Sequence, residues 1–461
     1  VIGRIARLLP SISVETESAD KEYRLSAKST ALEYAGEHIG GALWQYFEGQ
    51  GDAERALAAM KDASRYTRGH LSRDAVHALY GGAVTLSASR MDMARSCHFA
   101  YFMRYGLKAR ERTGAGFDAP QIGTFVHDVM EHTLRQAKEC GGLHTLSKDK
   151  LHALVRASIE EYIDRVLPDL SEKSARFRYL FNRLCATVER IMDEVSEELQ
   201  SSDFEPLAFE LEFGADGQLP AITIREENGT ARVVGKVDRV DGWLHDGKLY
   251  LRVVDYKTGK KSFDLAELRY GLGLQMLLYL FTLKEEGQML FGGHEIVPAG
   301  VLYTPAREPM LRCARDTEPE KIEKALKKEL RRSGMVLEDP AVLQAMEHSA
   351  LESPCYLPIA VKRDGAVTGS LASAEQLGKL SKYVDHILHE ITQEVFAGNI
   401  DADPYARTPQ QSACTYCEFA SACHFENGCG SDRMEYIKAT KNDEFWQYID
   451  EVNGEGAHEN G

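Results

Sequence analysis

The stretch that most constrains this 461-residue chain is residues 235–257, where two alternating runs flank Asp246-Gly247. A two-residue connection needs positive φ at both positions, which Asp-Gly tolerates, so the pair predicts a tight hairpin. That turn sets His245 opposite Lys248 and, counting back along both strands, Asp238 opposite Asp255. Side chains alternate faces, so Lys257 projects from the same side as Asp255. Opposed residues stand about 5 Å apart at Cβ, where like charges repel. The neighbours Leu249, Leu251, Val253 and Val254 are apolar, so solvent alone gives the carboxylates little relief. A divalent cation would give it. Two carboxylates form a hard-oxygen site suited to Mg²⁺ or Mn²⁺, and a same-face ammonium can orient or activate a water. The plain alternative is a surface hairpin with paired charges, helped by Lys236 and Arg239. Asp241-Gly242 is a second turn candidate that would shift the register.

With 55 basic against 71 acidic residues the net charge is −16. That argues against coating nucleic acid by bulk charge but leaves room for a local basic groove. No apolar run approaches the roughly 18 residues of a membrane span, and no signal-peptide pattern opens the chain. The expectation is a cytoplasmic protein that does not enter a membrane. Val1 begins as if mid-sequence, which suggests a piece of a longer polypeptide.

Residues 1–85 read as a helical segment, with Leu57, Met60, Val76 and Leu79 at helical spacing and Gly81-Gly82 as punctuation. A capped, buried helix is expected from Ser87 and a second after Gly123, followed by a long helical region over 148–200. The period then switches to two, predicting strands at 207–213, 221–225, 231–240 and 248–256. Helix is expected again over 264–285, 319–332 and 373–397, with a strand near 296–303. Residues 86–430 are assigned to one domain and 431–461 to an acidic, flexible tail.

Gln275 and Tyr279 share a helix face at i, i+4. A capped core tyrosine explains them as well as a ligand site does. His127, on a helix with Glu131, could equally be an ordinary core or surface histidine. Taken in order, however, His127 in Gly-Thr-Phe-Val-His, Asp238 in Gly-Lys-Val-Asp-Arg-Val, Asp255-Tyr-Lys257 and Gln275-x-x-x-Tyr279 resemble the RecB-type branch of the PD-(D/E)XK nucleases. The resemblance implies an α/β, restriction-endonuclease-like mixed sheet flanked by helices. It implies His127, Asp238, Asp255 and the Tyr256 carbonyl as ligands of Mg²⁺ (or Mn²⁺), Lys257 as the catalytic lysine, and Gln275 and Tyr279 as accessory residues. Glu210, in Ala-Phe-Glu-Leu-Glu, is a weaker acidic candidate.

Nine cysteines are too sparse and too odd in number for a disulfide framework. Cys414, Cys417 and Cys423 form a late triplet, approached through Pro404 and Pro409, with Cys429 as a further possible ligand. Zinc or a [4Fe–4S] cluster with a distant fourth cysteine would each use such thiolates. Here Cys97, in Arg-Ser-Cys-His-Phe, completes a pattern similar to the iron-staple nucleases, in which an iron–sulfur cluster ties together the two ends of the domain. The resemblance is nearest to the C-terminal nuclease part of AddB-type subunits of AddAB helicase–nucleases. It implies DNA as substrate, trimming of the 5′-ended strand and a helicase partner resembling AddA. A non-catalytic DNA-binding subunit and a stand-alone CRISPR-associated-type iron–sulfur nuclease are the alternatives. Gly229-Thr-Ala-Arg-Val-Val-Gly235-Lys236 misses the phosphate-binding loop pattern by one residue between its glycines, so no ATPase activity is expected. Lys257, Lys260, Lys261 and the run from Lys321 to Arg332 are candidate phosphate contacts.

Overall fold

The computed structural model describes residues 24–64, 67–110, 119–214, 217–314, 316–408 and 410–454. Helices α1 (Lys28–Glu37), α2 (Ala42–Phe47) and α3 (Gly51–Ser64) close a small core of their own around Ala35, Trp44, Phe47 and Leu57. Helix α4 (Arg73–Tyr80) starts on Ser72, whose hydroxyl accepts from the Ala75 amide, and stops at Gly81 with φ 71°. Through Val76 it joins the main core. After strand β1 (Ala83–Leu86) come α5 (Ala88–Ser96) and α6 (His98–Tyr101). The expected Ser87 cap is not formed. Its hydroxyl bonds the Ser89 hydroxyl instead.

Three long helices follow: α7 (Ala119–Glu139), which begins ahead of the expected Gly123, then α8 (Lys148–Val166) and α9 (Ala175–Gln200). Each presents one apolar stripe to the core, for example Phe125, Val129, Val155, Val188 and Val195.

Strands β2 (Glu205–Phe213), β3 (Ile222–Glu226), β4 (Gly229–Val233), β5 (Gly235–His245), β6 (Lys248–Lys257), β7 (Glu295–Pro305), β8 (Ser333–Leu337), β9 (Ile359–Val361), β10 (Val367–Gly369) and β11 (Leu371–Ala372) supply the sheets. A six-stranded mixed sheet, ordered β11-β8-β7-β6-β5-β2, is flanked by helices. This is the α/β architecture expected from the resemblance. Strands β5 and β6 are antiparallel, whereas β6 and β7 are parallel and joined by a crossover containing α10 (Leu265–Arg269) and α11 (Gln275–Glu286). Residues 276–283 of α11 are all buried, as expected for a helix hydrophobic on every side.

Several sequence expectations need correction. The single strand over 231–240 divides at Val234, with β4 entering a second sheet, β1-β4-β3. At the division Gly235 has no Cβ, and one built there would lie 2.5 Å from both the Phe213 and Tyr279 rings. The near-miss phosphate loop thus runs through two strands. The helix over 264–285 is two helices, because Gly271 and Gly273 take φ of 74° and 69°. Strand β8 escaped notice, as did α13 (Pro340–Met346), which Asp339 caps by accepting from the Ala341 and Val342 amides. Helices α12 (Pro319–Glu329) and α14 (Ala374–Phe396) stand where expected.

Residues 431–461 are not a loose tail throughout. After the short helix α15 (Ala420–Cys423), helix α16 (Asn442–Val452) buries Phe445, Trp446 and Ile449 in the main core. Asp450 also pairs with Lys379 of α14 at 2.8 Å. The acidic composition masked a single apolar stripe. Residues 455–461 and Pro409 lie outside the described residues.

Candidate functional site

The Asp246-Gly247 turn forms, with φ of 48° and 77°, and the β5–β6 ladder runs from His245↔Lys248 to Arg239↔Val254. That is the register deduced from the turn. Asp241-Gly242, the rival turn, lies inside β5 and pairs with Arg252 and Leu251. Beyond Arg239↔Val254 the two strands part. Strand β5 stays with β2 as far as Gly235, and β6 stays with β7 as far as Lys257.

Asp238 and Asp255 stand at this fork. Asp238 Oδ2 accepts from the Tyr256 amide at 2.8 Å, so a carboxylate occupies a position where a ladder bond would have continued. The Tyr256 carbonyl accepts from His127 Nε2 of α7 at 2.9 Å, and His127 Nδ1 lies 3.4 Å from Asp238 Oδ2. With Nε2 donating to a carbonyl, Nδ1 is the nitrogen turned toward the carboxylates. Burial disfavours the His127 imidazolium, but the Asp238 carboxylate outweighs it and lifts the pKa to about 9. Asp255 is only 3% exposed, and burial, with Asp238 adding repulsion, raises its pKa to about 6 against the opposing pull of Lys257.

Glu210 comes into this group from β2. It adopts φ 49° between the pairs Phe209↔Arg239 and Leu211↔Val237, which places it across from Asp238. A left-handed conformation costs a non-glycine residue on the order of 1 kcal/mol and is common at functional sites. Ligand atoms of His127, Glu210 and Asp238 all lie within 4.8 Å of one another. Lys236 pairs with Glu210 at 2.5 Å. A cleft of about 410 Å³ opens beside them, lined also by Thr124, Asp128 and Glu131. One imidazole nitrogen and converging carboxylates, with Asp255 beside them raised to about 6 by burial and by the Asp238 charge, suit a hard divalent cation.

Lys257 Nζ lies 2.7 Å from Asp255 Oδ2. Gln275 and Tyr279 share one face of α11, with Gln275 Nε2 donating to the Tyr279 hydroxyl at 3.1 Å, and Tyr279 packs against Phe213. His127, Glu210, Asp238 and Tyr256 are therefore brought into direct contact with one another or within 4.8 Å. Asp255–Lys257 adjoins them, and Gln275–Tyr279 backs the start of β5.

The PD-(D/E)XK nuclease superfamily matches residues 85–424. The chain belongs to that superfamily. Its members use divalent metal ions, in keeping with the donor set at the fork. Among curated proteins, an ATP-dependent helicase/deoxyribonuclease subunit of Ruminiclostridium cellulolyticum is 29% identical over 98% of this chain and 41% of its own length. The protein of the same description from Acetivibrio thermocellus is 32% identical over 88% of the chain and 35% of its own. That from Clostridium botulinum is 30% identical over 90% and 36%. The chain thus spans between about a third and two fifths of the length of the relatives it matches.

Beneath the fork lies a charged network that sequence reading missed. Arg239, Asp241 and Arg252 have no exposed surface, and Glu198 and Arg332 are nearly as buried. Asp241 Oδ2 accepts from Arg239 Nη2 at 3.0 Å and Arg252 Nε at 2.9 Å, while Glu198 Oε2 accepts from Arg332 Nη2 at 2.6 Å. Burial opposes the Glu198 carboxylate, but the three guanidinium groups prevail and lower its pKa to about 2. The available signal was alternation: in Asp-Arg-Val-Asp, Arg239 faces away from Asp238, toward the core. Arg332 is accordingly no surface phosphate contact. The other lysines of that run sit on or beside α12, which buries no residue and pairs Lys327 with Glu323. Lys260 and Lys261 pair with Glu329 and Glu267.

Cys97, Cys414, Cys417 and Cys423 line one cavity of about 660 Å³ in the nuclease domain, and Cys429 does not reach it. Cys97 is buried, and burial raises its pKa to about 12. Asp92, on the same wall, accepts from the Gly273 amide at 2.9 Å, so α5 joins the cavity to the loop that leads into α11.

Proposed function

We propose that this chain carries the nuclease of a helicase–nuclease subunit and hydrolyses DNA phosphodiesters at the fork between β5 and β6. The observation that carries the reading is the convergence of His127, Glu210 and Asp238 within 4.8 Å, beside the Asp255–Lys257 pair. His127 Nδ1, the Asp238, Asp255 and Glu210 carboxylates and the Tyr256 carbonyl would hold Mg²⁺ or Mn²⁺. Such an ion supplies charge to neutralise a phosphate and polarise its oxygens. Lys257 is the ammonium that would orient the attacking water by donating to it, and Asp255 sets its position at 2.7 Å. Gln275 and Tyr279 brace α11 against the start of β5. The names of the relatives support DNA as substrate and an AddA-like helicase as partner, and trimming of the 5′-ended strand is the exonucleolytic form of the reaction we favour.

The four-cysteine cavity fits a [4Fe–4S] cluster better than a single zinc. Thiolates bound about 2.3 Å from one tetrahedral ion stand within about 4 Å of each other, whereas among the described residues no three of these thiols come within 4.8 Å of one another.

The test is cleavage of end-labelled DNA by the purified chain with and without Mg²⁺. Lys257→Ala should abolish cutting while leaving DNA binding intact. Cutting that survives both EDTA and this substitution would end the proposal.

A further inference from the structure

The two carboxylates at the fork stand where the backbone ladder no longer pins them. The last β5–β6 pair is Arg239↔Val254, and the next residues outward, Asp238 and Asp255, repel each other. Something other than ladder bonds must hold β6 beside β5 there. Each carboxylate is followed in sequence by a residue that points to the opposite face: Arg239 after Asp238 and Tyr256 after Asp255. These two meet beneath the sheet, where Arg239 Nη1 donates to the Tyr256 hydroxyl at 2.7 Å. Both side chains are buried, Arg239 completely.

We propose that the Arg239–Tyr256 bond is a clamp on the opposite face of the sheet that sets the metal-binding geometry, with Tyr256 as a positioning residue. The inference rests on the proposed nuclease reading. The peptide atoms of Tyr256 touch both His127 and Asp238, its carbonyl accepting from the first and its amide donating to the second. Fixing its ring therefore fixes the His127 ring and the Asp238 carboxylate together. Arg239 is itself immobilised by two contacts to Asp241, at 2.8 Å and 3.0 Å. Asp241 is held in turn by Arg252, and Arg252 Nη2 lies 3.5 Å from Glu198 of α9. A chain of rigid, desolvated ion pairs thus runs from α9 to the underside of the fork. Three guanidinium groups against two carboxylates leave a surplus positive charge below the anionic site. A planar guanidinium suits this role because it can grip Asp241 and Tyr256 at once.

The experiment is Mn²⁺ binding to the full chain, read from the paramagnetic resonance of free Mn²⁺. The difference between the unmodified chain and Asp238→Asn counts the ions at the fork. Tyr256→Phe removes one hydroxyl and keeps both peptide contacts. Its Mn²⁺ dissociation constant at the fork should rise about tenfold, the lower range for loss of an outer-shell partner. Excess Mn²⁺ should restore most of the cutting. Ile391→Val, a buried change in α14 that touches no proposed metal ligand, controls for general destabilisation and should leave Mn²⁺ affinity unaltered. Arg239→Lys, which keeps the charge but not the double grip, should behave like Tyr256→Phe. If Tyr256→Phe binds Mn²⁺ as tightly as the unmodified chain, the clamp is refuted while the nuclease reading stands. If the unmodified chain binds no more Mn²⁺ than Asp238→Asn, both fall.

Discussion

Replacing Lys257 by Ala tests the electrostatics of the fork apart from its chemistry. Asp255 is 3% exposed, with Lys257 2.7 Å away, and its pKa is already raised to about 6. A folded-state pKa above the unfolded value of about 3.9 means the protonated form is favoured on folding. The stability this group contributes is therefore full below about pH 4 and is lost as pH rises through about 6. Lys257 is the neighbour that holds the Asp255 carboxyl down against burial and the Asp238 charge, so deleting it should raise that pKa further. At pH 5 Asp255 is then largely protonated with or without the lysine, and the substitution changes stability by less than about 0.2 kcal/mol through this route. At pH 7.5 the native protein has passed its pKa and the variant must go on resisting ionisation, so the variant is less stable by about 1–2 kcal/mol. Urea unfolding in EDTA at the two pH values measures the difference. An equal loss at pH 5 and pH 7.5 would show that lost packing, not charge, accounts for the effect, and would refute the argument.

Glu198→Gln should destabilise the chain by about 3–5 kcal/mol near neutral pH, since it strands Arg332 and Arg252 without their counter-charge. It should also flatten acid unfolding between about pH 4.5 and pH 2, the window over which the depressed Glu198 pKa is titrated; equilibrium unfolding against pH checks both. Gly235→Ala should drive a methyl into the Phe213 and Tyr279 rings and lower stability by about 1–3 kcal/mol, measured by urea unfolding. Cys97→Ser and Cys423→Ser should each remove the broad absorbance near 400 nm and the iron expected of a cubane cluster. Cys429→Ser should keep both, since Cys429 stands outside the cavity; iron analysis with an anaerobic spectrum decides.

Local rules made much of the fork legible. Asp246-Gly247 dictates a tight turn, alternation then dictates faces, and the pairing of Arg239 with Val254 follows. The order of His127, Asp238, Asp255-Tyr-Lys257 and Gln275–Tyr279 added the family. Glu210 stood as the weaker candidate on resemblance alone, and its approach depends on a left-handed residue within a strand, which sequence pattern does not encode. The buried network escaped for a different reason. Arg239, Arg252 and Glu198 are drawn from three elements and satisfy one another only after α9 docks on the sheet, so each alone reads as a surface charge. Helix α16 was hidden by averaging, its Phe445, Trp446 and Ile449 stripe lost in an acidic segment. Strand β8 showed no alternation, because residues 334–337 are all buried and neither face is polar.

The wall of the cysteine cavity is shared between α5–α6, near one edge of the nuclease region, and residues 402–425 near the other. During synthesis Cys97 emerges first, and the triplet follows only after the whole sheet has been made, an interval on the order of tens of seconds at ribosomal speed. For that time Cys97 and Asp92 have no facing wall. The proposed cluster could therefore load only after Cys414, Cys417 and Cys423 have been made, and a product truncated before Cys414 would offer this cavity Cys97 alone. On the proposed cluster, a shortage of iron would fall on chains already made through Cys423, not on shorter nascent ones.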